Sequence, residues 1–247
     1  MARVDQALVE RGLCASREAA KRAVLAGRVQ INQQRARKAS DRVTPGDHLE
    51  LVQTERYVSR GGYKLEHALR EFGVDVRGLR ALDVGASTGG FTDCLLQHGA
   101  ARVYAVDVGR GQLAWRLRQD PRVCVMEGIN ARDLTAARFP QPFAPPDVAA
   151  IDCSFISLRH LLRPVVALLR KPGRIVALIK PQFEADKAEA DRGGGVITDP
   201  RVHQRVLAEM EGLVKGQAGL RWAGLAESPL LGPAGNKEFL ALIETVD

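Results

Sequence analysis

The sequence predicts an α/β fold in which a small α+β domain precedes a doubly wound, mostly parallel sheet. From residue 80 onward, apolar segments alternate with helix-like segments, as in parallel sheets covered by helices on both faces. A glycine-rich loop follows the first of these apolar segments. Residues 1–60 contain 12 Lys or Arg and 7 Asp or Glu, so they hold +5 of the chain's net charge of +7. A basic amino-terminal segment followed by a nearly neutral remainder is typical of a polyanion-binding module joined to a second domain.

The first 54 residues predict two helices and a strand pair. The first helix ends at Gly12. Ser16 is expected to cap a second helix with a stripe of small residues, which Gly27 ends. The segments RVQIN and HLELV read as strands, and a TPGD turn lies before the second. These elements make a compact α+β domain over residues 1–54, followed by a linker over 55–62 and a larger domain over 63–247.

The larger domain begins with a helix near Gly61, which Ser59 is expected to cap. Strands and helices then alternate along the chain. The predicted order is strand RALDV, helix 89–98, strand RVYAVDVG, helix GQLAWRLRQ, strand VCVMEG, strand DVAAIDCSF, helix 157–170, strand RIVALIKPQF, helix 200–215, and a strand pair RWAGLAESP and KEFLALIE. The final pair is expected to be antiparallel at one edge of the sheet.

Composition argues against several classes of protein. The four cysteines are widely spaced and form no C-x-x-C pair, which favours reduced thiols in a cytoplasmic protein over disulfides or a metal site. The amino terminus has no apolar segment typical of a secretory signal. Runs such as VVALL and IVALI are far shorter than the roughly 20 residues that span a bilayer. We therefore expect no membrane partner and no bound metal.

The glycine loop GASTGG, residues 85–90, raises the question of its ligand. A phosphate-binding P-loop needs a lysine after its last glycine, but Phe91 and Thr92 follow here. A dinucleotide loop needs a glycine where Ser87 stands, because the backbone must approach a pyrophosphate closely. S-adenosylmethionine has no phosphate, so the pattern favours this methyl donor over a dinucleotide and over no ligand.

Acidic residues at the strand ends support the same cofactor. Asp83 can meet a positively charged group of the methyl donor, and Asp107 can accept hydrogen bonds from its ribose hydroxyls. Asn130 follows the third strand, where the adenine is expected. The predicted cofactor-binding residues are Asp83, Gly85, Ser87, Thr88, Gly89, Gly90, Phe91, Asp107 and Asn130.

Two ionisable residues follow apolar strands where ligands of such sheets bind. These are Asp152, after DVAAI, and Lys180, after RIVALI. A lysine at this position is costly unless it is paired, so a purely structural salt bridge between the two is an equally good interpretation. Lys64, near the start of its helix, reads on local sequence as a solvated lysine.

The amino-terminal block resembles the S4 RNA-binding domain. The similarity lies in RVD at 3–5, SREA at 16–19, KR at 21–22, AGRV at 26–29, IN at 31–32 and PGDHL at 45–49. Gln33 and Gln34 depart from the family, which usually has a glycine after the asparagine, but Asn32 tolerates a left-handed turn. The resemblance implies binding to folded RNA through Arg3, Ser16, Arg17, Lys21, Arg22, Arg28, Asn32 and Lys38.

Nearly the whole chain resembles the TlyA family, S4-domain proteins with an FtsJ-like ribose methyltransferase domain that are often called hemolysins. The similar segments are YVSRGGYKL, LDVGASTGGFTDCLL, IDCSF, IKPQFE, RGGGVITDP and SPLLGPAGNKEFL. The resemblance implies a Rossmann-like methyltransferase sheet, S-adenosylmethionine as cofactor, and 2′-O-methylation of ribosomal RNA, on a cytidine ribose. It also implies a catalytic tetrad, whose members by motif position are Lys64, Asp152, Lys180 and Glu238.

The tetrad suggests a specific chemistry. Lys180 is expected to be the general base or to steer the hydroxyl, with Lys64 lowering its proton affinity. Asp152 and Glu238 would fix the two amines. The alternatives are a catalytically silent RNA-binding factor, a membrane-active hemolysin, and a cytosine-C5 methyltransferase with Cys153 as nucleophile. The charged segment 183–197 reads either as a lid or RNA clamp or as an ordinary mobile loop.

Overall fold

The computed structural model describes residues 1–25, 27–52 and 55–246 and divides the chain into two compact units. The units are Met1–Arg56 and Tyr57–Asp247, so the division falls inside the predicted linker, residues 55–62. The predicted boundary after residue 54 and the motif residue Ala26 lie outside the described residues. Each unit is considered by itself below.

The first unit has two helices packed on short strands, as the sequence predicts. Its elements are β1 (Ala2–Arg3), α1 (Val4–Glu10), α2 (Arg17–Leu25), β2 (Val29–Ile31), β3 (Gln34–Arg35), β4 (Arg42–Val43) and β5 (Leu49–Leu51). Strands β3, β2 and β5 form an antiparallel sheet in that order, and β1 pairs with β4. The Ser16 hydroxyl accepts a hydrogen bond from the Ala19 amide at 3.2 Å, which confirms the predicted cap.

The turn after β2 keeps its shape without the expected glycine. Asn32 and Gln33 adopt left-handed φ angles of 48° and 67°. The Asn32 side chain donates to Asp47 at 2.8 Å and accepts from the His48 amide at 2.8 Å. These two bonds offset the strain of the left-handed backbone, as expected for an asparagine.

The second unit is a seven-stranded sheet with helices on both faces. Its helices are α3 (Gly61–Glu71), α4 (Gly90–Gln97), α5 (Trp115–Arg118), α6 (Leu162–Leu168), α7 (Pro181–Glu184), α8 (Lys187–Arg192) and α9 (Pro200–Lys215). Its strands are β6 (Arg80–Val84), β7 (Arg102–Asp107), β8 (Val123–Glu127), β9 (Val148–Ile151), β10 (Arg174–Ile179), β11 (Leu220–Glu227) and β12 (Phe239–Thr245). The strand order is β11-β12-β10-β9-β6-β7-β8. Five neighbouring strands are parallel: β10, β9, β6, β7 and β8. Strand β12 pairs antiparallel with both β10 and β11.

Alternate residues of the buried strands enter two different cores. Leu82 packs with α6 and α9 on one face of the sheet, while Ala81 packs with α3 and α4 on the other. Both side chains are fully buried. This is why these strands read as continuous apolar runs rather than as alternating ones.

Four local predictions are wrong in detail. The predicted strand RIVALIKPQF ends at Ile179, because Pro181–Glu184 forms the helix α7. The segment GQLAWRLRQ is helical only over Trp115–Arg118, because the preceding residues form turns around the glycine-rich stretch after β7. Ser59 does not cap α3: the residue before the helix is Arg60, in helical conformation, and no side chain caps it. The predicted helix 157–170 is a 3₁₀ turn, Leu158–His160, followed by α6.

The charged segment 183–197 is more ordered than a simple loop. It contains α8, which begins with a capping box in which Asp186 and Glu189 each accept a hydrogen bond from the other's backbone amide. A turn with Gly194 and Gly195 at positive φ then leads to α9. In the described ranges, no helix is both long enough and apolar enough to cross a bilayer.

Candidate active site

The predicted catalytic residues meet at one edge of the sheet. Strands β6, β7, β9 and β10 are parallel and end there, and the antiparallel β12 begins there. Asp152 therefore follows β9, Lys180 follows β10, and Glu238 precedes β12 at the same edge. Lys64 reaches it from the first turns of α3. This carboxyl edge is where open α/β sheets bind their ligands.

The glycine loop after β6 is held against this edge by backbone contacts. Gly85 has a φ of +87°, and a Cβ built on it would lie 2.4 Å from the Asp152 carbonyl oxygen. Only glycine permits that approach. Ser87 is left-handed, with φ +48°, and its amide donates to Asp107 Oδ2 at 2.7 Å. The Gly109 amide donates to the other carboxylate oxygen at 2.7 Å, so Asp107 fixes two loops at once.

A cavity of about 520 Å³ opens in front of this loop. Gly85, Ser87, Asp107 and Asn130 line it, and Ile129 contributes an apolar wall. Asn130 Oδ1 accepts a hydrogen bond from the Arg132 amide at 3.0 Å and so holds the following turn. The size and lining suit a nucleoside: each Asp107 oxygen keeps a lone pair for a ribose hydroxyl, and the apolar wall suits a purine.

Asp83 and Gly89 lie outside the cavity walls, although the sequence assigned both to the cofactor. Gly89, at φ +99°, instead packs on Leu117, whose Cδ1 would be 2.3 Å from an added Cβ. Asp83 is fully buried beneath the loop, and its Oδ2 accepts from the Thr92 hydroxyl at 2.6 Å. Its Oδ1 has no hydrogen-bond partner, and burial raises the pKa of Asp83 to about 7. A buried acceptor without a donor fits the cationic amino group of S-adenosylmethionine.

A second cavity, of about 350 Å³, adjoins the first and is lined by all four residues of the predicted tetrad. They form two ion pairs across it. Lys180 Nζ lies 2.5 Å from Asp152 Oδ1, and Lys64 Nζ lies 2.5 Å from Glu238 Oε2. Thr88, Gly90 and Phe91, which the sequence assigned to the cofactor, border this second cavity instead.

The two ion pairs differ in accessibility. The side chains of Lys64 and Glu238 are 7% and 1% exposed, whereas that of Asp152 is 22% exposed. Lys180 also donates to the Ser154 hydroxyl at 3.0 Å, so its amine is held between two acceptors. The Lys180–Asp152 pair is thus the one that a substrate can reach, and the Lys64–Glu238 pair lies deeper.

A buried asparagine fixes the chain segment before Glu238. Asn236, 2% exposed, donates to the Gly195 carbonyl at 2.8 Å and accepts from the Ile197 amide at 2.9 Å. These contacts join the two motifs RGGGVITDP and SPLLGPAGNKEFL, whose proximity the sequence alone did not show. Gly232 completes the arrangement, because a Cβ there would lie 2.5 Å from Glu238 Oε1.

The two cavities meet along shared walls. Gly85, Ser87, Asp152 and Ser154 line both of them. A group bound in the first cavity can therefore face a group bound beside Lys180. This arrangement suits direct transfer between two bound molecules, with ion-paired amines at the point of transfer.

Sequence reasoning missed Phe155 at the rim of the first cavity. Its side chain is 89% exposed although its φ is +62°, and its ring contacts Phe183 at a centroid distance of 5.1 Å. Glu184 holds this loop by accepting from the Ser157 hydroxyl at 2.5 Å and the Leu158 amide at 2.8 Å. An exposed bulky residue in a left-handed conformation is a signal of function that only backbone coordinates reveal.

Cys153 lines the first cavity but is not a reactive thiol. Burial raises its pKa to about 12, and the neighbouring Asp152 carboxylate acts in the same direction. Its Sγ donates to the Val84 carbonyl at 3.5 Å. Because the thiolate is the nucleophilic form, this environment argues against covalent attack on a base.

In the first unit, a buried carboxylate organises two of the predicted RNA-binding arginines. Asp5 is fully buried, and the Arg3 guanidinium donates to both of its oxygens at 3.0 Å. Arg17 donates to Asp5 Oδ2 at 3.4 Å. The hydrogen bonds from Arg3 are the main cause of the lowered pKa of Asp5. Asp5 thus sets the spacing of two guanidinium groups, a role that the sequence did not assign.

The other predicted RNA-binding residues fall into two groups. Ser16 and Asn32 use their side chains within the unit, as the helix cap and in the turn described above. The remaining four are cations on the surface or partly exposed: Lys21, Arg22, Arg28 and Lys38. Lys21 also pairs with Glu18 at 2.7 Å. Exposed cations of this kind suit contacts with the phosphates of a nucleic acid.

Two family models match the chain, one in each unit. The model of the FtsJ-like methyltransferase matches residues 57–244, and the model of the S4 domain matches residues 2–49. Curated relatives cover nearly the whole chain. YqxC of Bacillus subtilis is 49% identical over 96% of this chain and 84% of that protein.

A second relative carries a named activity. The 16S/23S rRNA (cytidine-2′-O)-methyltransferase TlyA of Mycobacterium tuberculosis is 44% identical over 99% of this chain and 90% of its own length. Among solved structures, a Streptococcus thermophilus protein described as a hemolysin is 44% identical, with a TM-score of 0.75, over 99% of this chain and 88% of that one.

Proposed function

The chain belongs to the family of FtsJ-like methyltransferases that carry an S4 domain, and from this we propose that it methylates the ribose 2′-hydroxyl of a cytidine in ribosomal RNA, with S-adenosylmethionine as donor. The methyltransferase fold supports the cofactor. The named activity of the Mycobacterium tuberculosis relative supports the nucleotide and the RNA.

One observation carries the reaction type: the nucleoside-sized cavity and the lysine-lined cavity share walls at the carboxyl edge. When bound, S-adenosylmethionine supplies an electrophilic methyl group on a sulfonium. Asp107, Asn130 and Gly85 would hold it in the first cavity, with Asp83 beneath the loop as acceptor for its amino group. The tetrad then faces the nucleophile.

Lys180 is the residue that would handle the proton. A ribose hydroxyl is a weak acid and has to lose its proton as it attacks the methyl group. Asp152 and Ser154 hold the Lys180 amine at 2.5 Å and 3.0 Å, so its position is fixed before the substrate arrives. Such positioning of reacting groups contributes on the order of 7–11 kcal/mol to catalysis.

The Lys64–Glu238 pair would act as a positioning pair. Both side chains are almost fully buried, and the pair carries no net charge, so it can order the cavity floor without adding charge to it. Lys64 and Lys180 line the same cavity, so the deeper pair can hold the cavity floor in place beside the Lys180 amine.

The first unit supports an RNA substrate. Its surface cations and the two arginines held by Asp5 suit the phosphates of a folded RNA, with little base specificity. A ribosomal substrate also implies a cytoplasmic location.

The test is methyl transfer from labelled S-adenosylmethionine to purified ribosomal subunits and to naked rRNA. We expect label in one or both, at a nucleotide that resists alkaline cleavage, because alkali uses the free 2′-hydroxyl. Lys180→Ala should abolish transfer, and Lys215→Ala, an exposed lysine on α9, should not. Cys153→Ala should remain active.

Three outcomes would contradict the proposal. Cofactor that neither binds nor turns over would indicate a silent RNA-binding protein. Label that leaves the nucleotide alkali-sensitive would indicate methylation of a base. Full activity of Lys180→Ala would refute the role of this lysine.

A further inference from the structure

Trp115 is exposed to an extent that is unusual for so large an apolar side chain. It is 74% exposed at the start of α5, the four-residue helix after β7. Tryptophan is normally largely buried, because it offers more apolar surface than other residues. Two further exposed apolar side chains, Val108 and Phe155, line the first cavity of the same edge. Part of the exposed apolar surface therefore lies at the active site.

The chain around Trp115 runs between the two cavities. Val108 and Gln112 line the cofactor cavity, and the Ala114 amide donates to the carbonyl of Thr88, which lines the tetrad cavity. Trp115 is the next residue, so its Cα lies 3.8 Å or so from that of Ala114. Trp115 therefore lies between two residues that touch the glycine loop, Ala114 through its amide and Leu117 through its side chain.

The backbone under Trp115 is rigidly held. Leu117 packs against Gly89 of the glycine loop. On either side of this contact, Arg116 pairs with the buried Asp93 and Arg118 pairs with Glu127. Arg118 also donates to the Leu113 carbonyl at 3.0 Å. A rigid backbone under an aromatic side chain reduces the entropy that is lost when a partner stacks on the ring.

The charge of this segment selects the class of partner. Residues 108–119 contain three arginines and no acidic residue, and two of the arginines, Arg116 and Arg118, are paired with Asp93 and Glu127 outside the segment. The third, Arg110, lies over Gly128, where an added Cβ would be 2.7 Å from its Nε. Exposed aromatic surface flanked by guanidinium groups suits a strand of nucleic acid, with bases on the ring and phosphates on the cations.

We propose that Trp115 is a stacking platform for an unpaired RNA base next to the methylated nucleotide, and that Arg110 holds the adjoining phosphate. The identity of the RNA rests on the proposed function. The stacking role of Trp115 rests on its exposure and on the neighbouring arginine. Trp115 then orients the RNA strand and takes no part in the chemical step.

Fluorescence gives a direct test. The chain has two tryptophans, so Trp222→Phe leaves Trp115 as the sole indole reporter. This variant is titrated with a single-stranded oligoribonucleotide and, separately, with inorganic polyphosphate of matched charge. We expect saturable quenching by the RNA and none by the polyphosphate, because only bases stack on the ring.

Kinetics on naked rRNA give a second test. Trp115→Ala should raise KM by between about 5-fold and about 150-fold with little change in kcat, which is the fold-change expected for the loss of one stacked base. Trp115→Phe should retain most of the affinity. Leu225→Ala removes an exposed side chain on β11, at the other end of the sheet, and should behave as the unmodified protein.

The proposal is overturned if RNA leaves the fluorescence unchanged or if polyphosphate quenches it equally. It also fails if Trp115→Ala keeps its KM, or if sedimentation shows that Trp115→Ala dissociates a dimer, because a second copy would then cover the indole. A protein without methyltransferase activity refutes the proposed function, whereas the fluorescence titration still decides whether Trp115 stacks on RNA.

Discussion

Glu238→Gln separates the structural and catalytic roles of the buried ion pair. The substitution keeps the shape of the side chain but removes the charge that faces Lys64 Nζ at 2.5 Å. Lys64 is 6% exposed, so the substitution leaves a buried lysine without its counter-ion. Breaking a buried pair in this way costs about 3–5 kcal/mol.

The magnitude converts into a measurable melting shift. For a unit of this size, each kcal/mol changes Tm by about 2–4 °C, so Glu238→Gln should melt about 6–20 °C lower. The double variant Lys64→Met with Glu238→Leu removes both charges of the pair and should recover most of the loss. Glu211→Gln, which breaks the exposed pair with Lys215, is the matched control and should cost less than about 1 kcal/mol.

Activity is measured on the same proteins by methyl transfer to rRNA. If the pair positions Lys180 and the substrate, the double variant should fold normally but remain inactive. Recovery of activity together with Tm would show that the pair serves stability alone. An unchanged Tm for Glu238→Gln would refute the argument that Lys64 depends on this counter-ion.

Two further substitutions test the site and its pH dependence. Gly232→Ala should displace the Glu238 carboxylate and lower kcat, because the new Cβ would lie 2.5 Å from Oε1, whereas Gly212→Ala, with open space around it on α9, should stay fully active. Burial raises the pKa of Asp83 to about 7 from an ordinary value of 3.8, so the native state keeps a proton that the unfolded chain releases. Stability should therefore fall as pH rises between about 4 and 7, by up to about 4 kcal/mol, and a series of Tm measurements on Asp83→Asn should show a flatter profile. A Tm of Asp83→Asn that varies with pH as steeply as that of the unmodified protein would contradict this account.

Much of the fold follows from local sequence patterns. The parallel strands are continuous apolar runs in the sequence because both of their faces are buried. The cap at Ser16 and the end of the second helix at Gly27 depend only on neighbouring residues, so they can also be predicted locally. The prediction is weakest around α5, where helical periodicity in GQLAWRLRQ does not produce a full helix. The residues before Trp115 form bends instead, so the helix is limited to Trp115–Arg118 whatever the periodicity of the whole segment.

The candidate site divides in the same way. Ser87, in place of a second glycine, disfavoured a dinucleotide from sequence alone, and Asp107 could be placed at a strand end. Asp83 is predicted from the sequence to meet a positive group of the cofactor, but its burial beneath the loop is not visible there, because residue identity does not show which side of β6 is covered.

The sequence by itself determined the fold class, the basic amino-terminal module and a cofactor loop without room for a phosphate-binding lysine. Local patterns carry this information because secondary structure and turn chemistry depend on near neighbours. Only the tertiary structure paired Lys64 with Glu238, 174 residues away, and joined Asn236 to the glycine turn before α9. It also left Trp115 exposed beside the loop, because burial is decided by which distant segments pack together. The glycine loop thus identified a class of ligand, and the folded chain supplied the neighbours that give it a reaction.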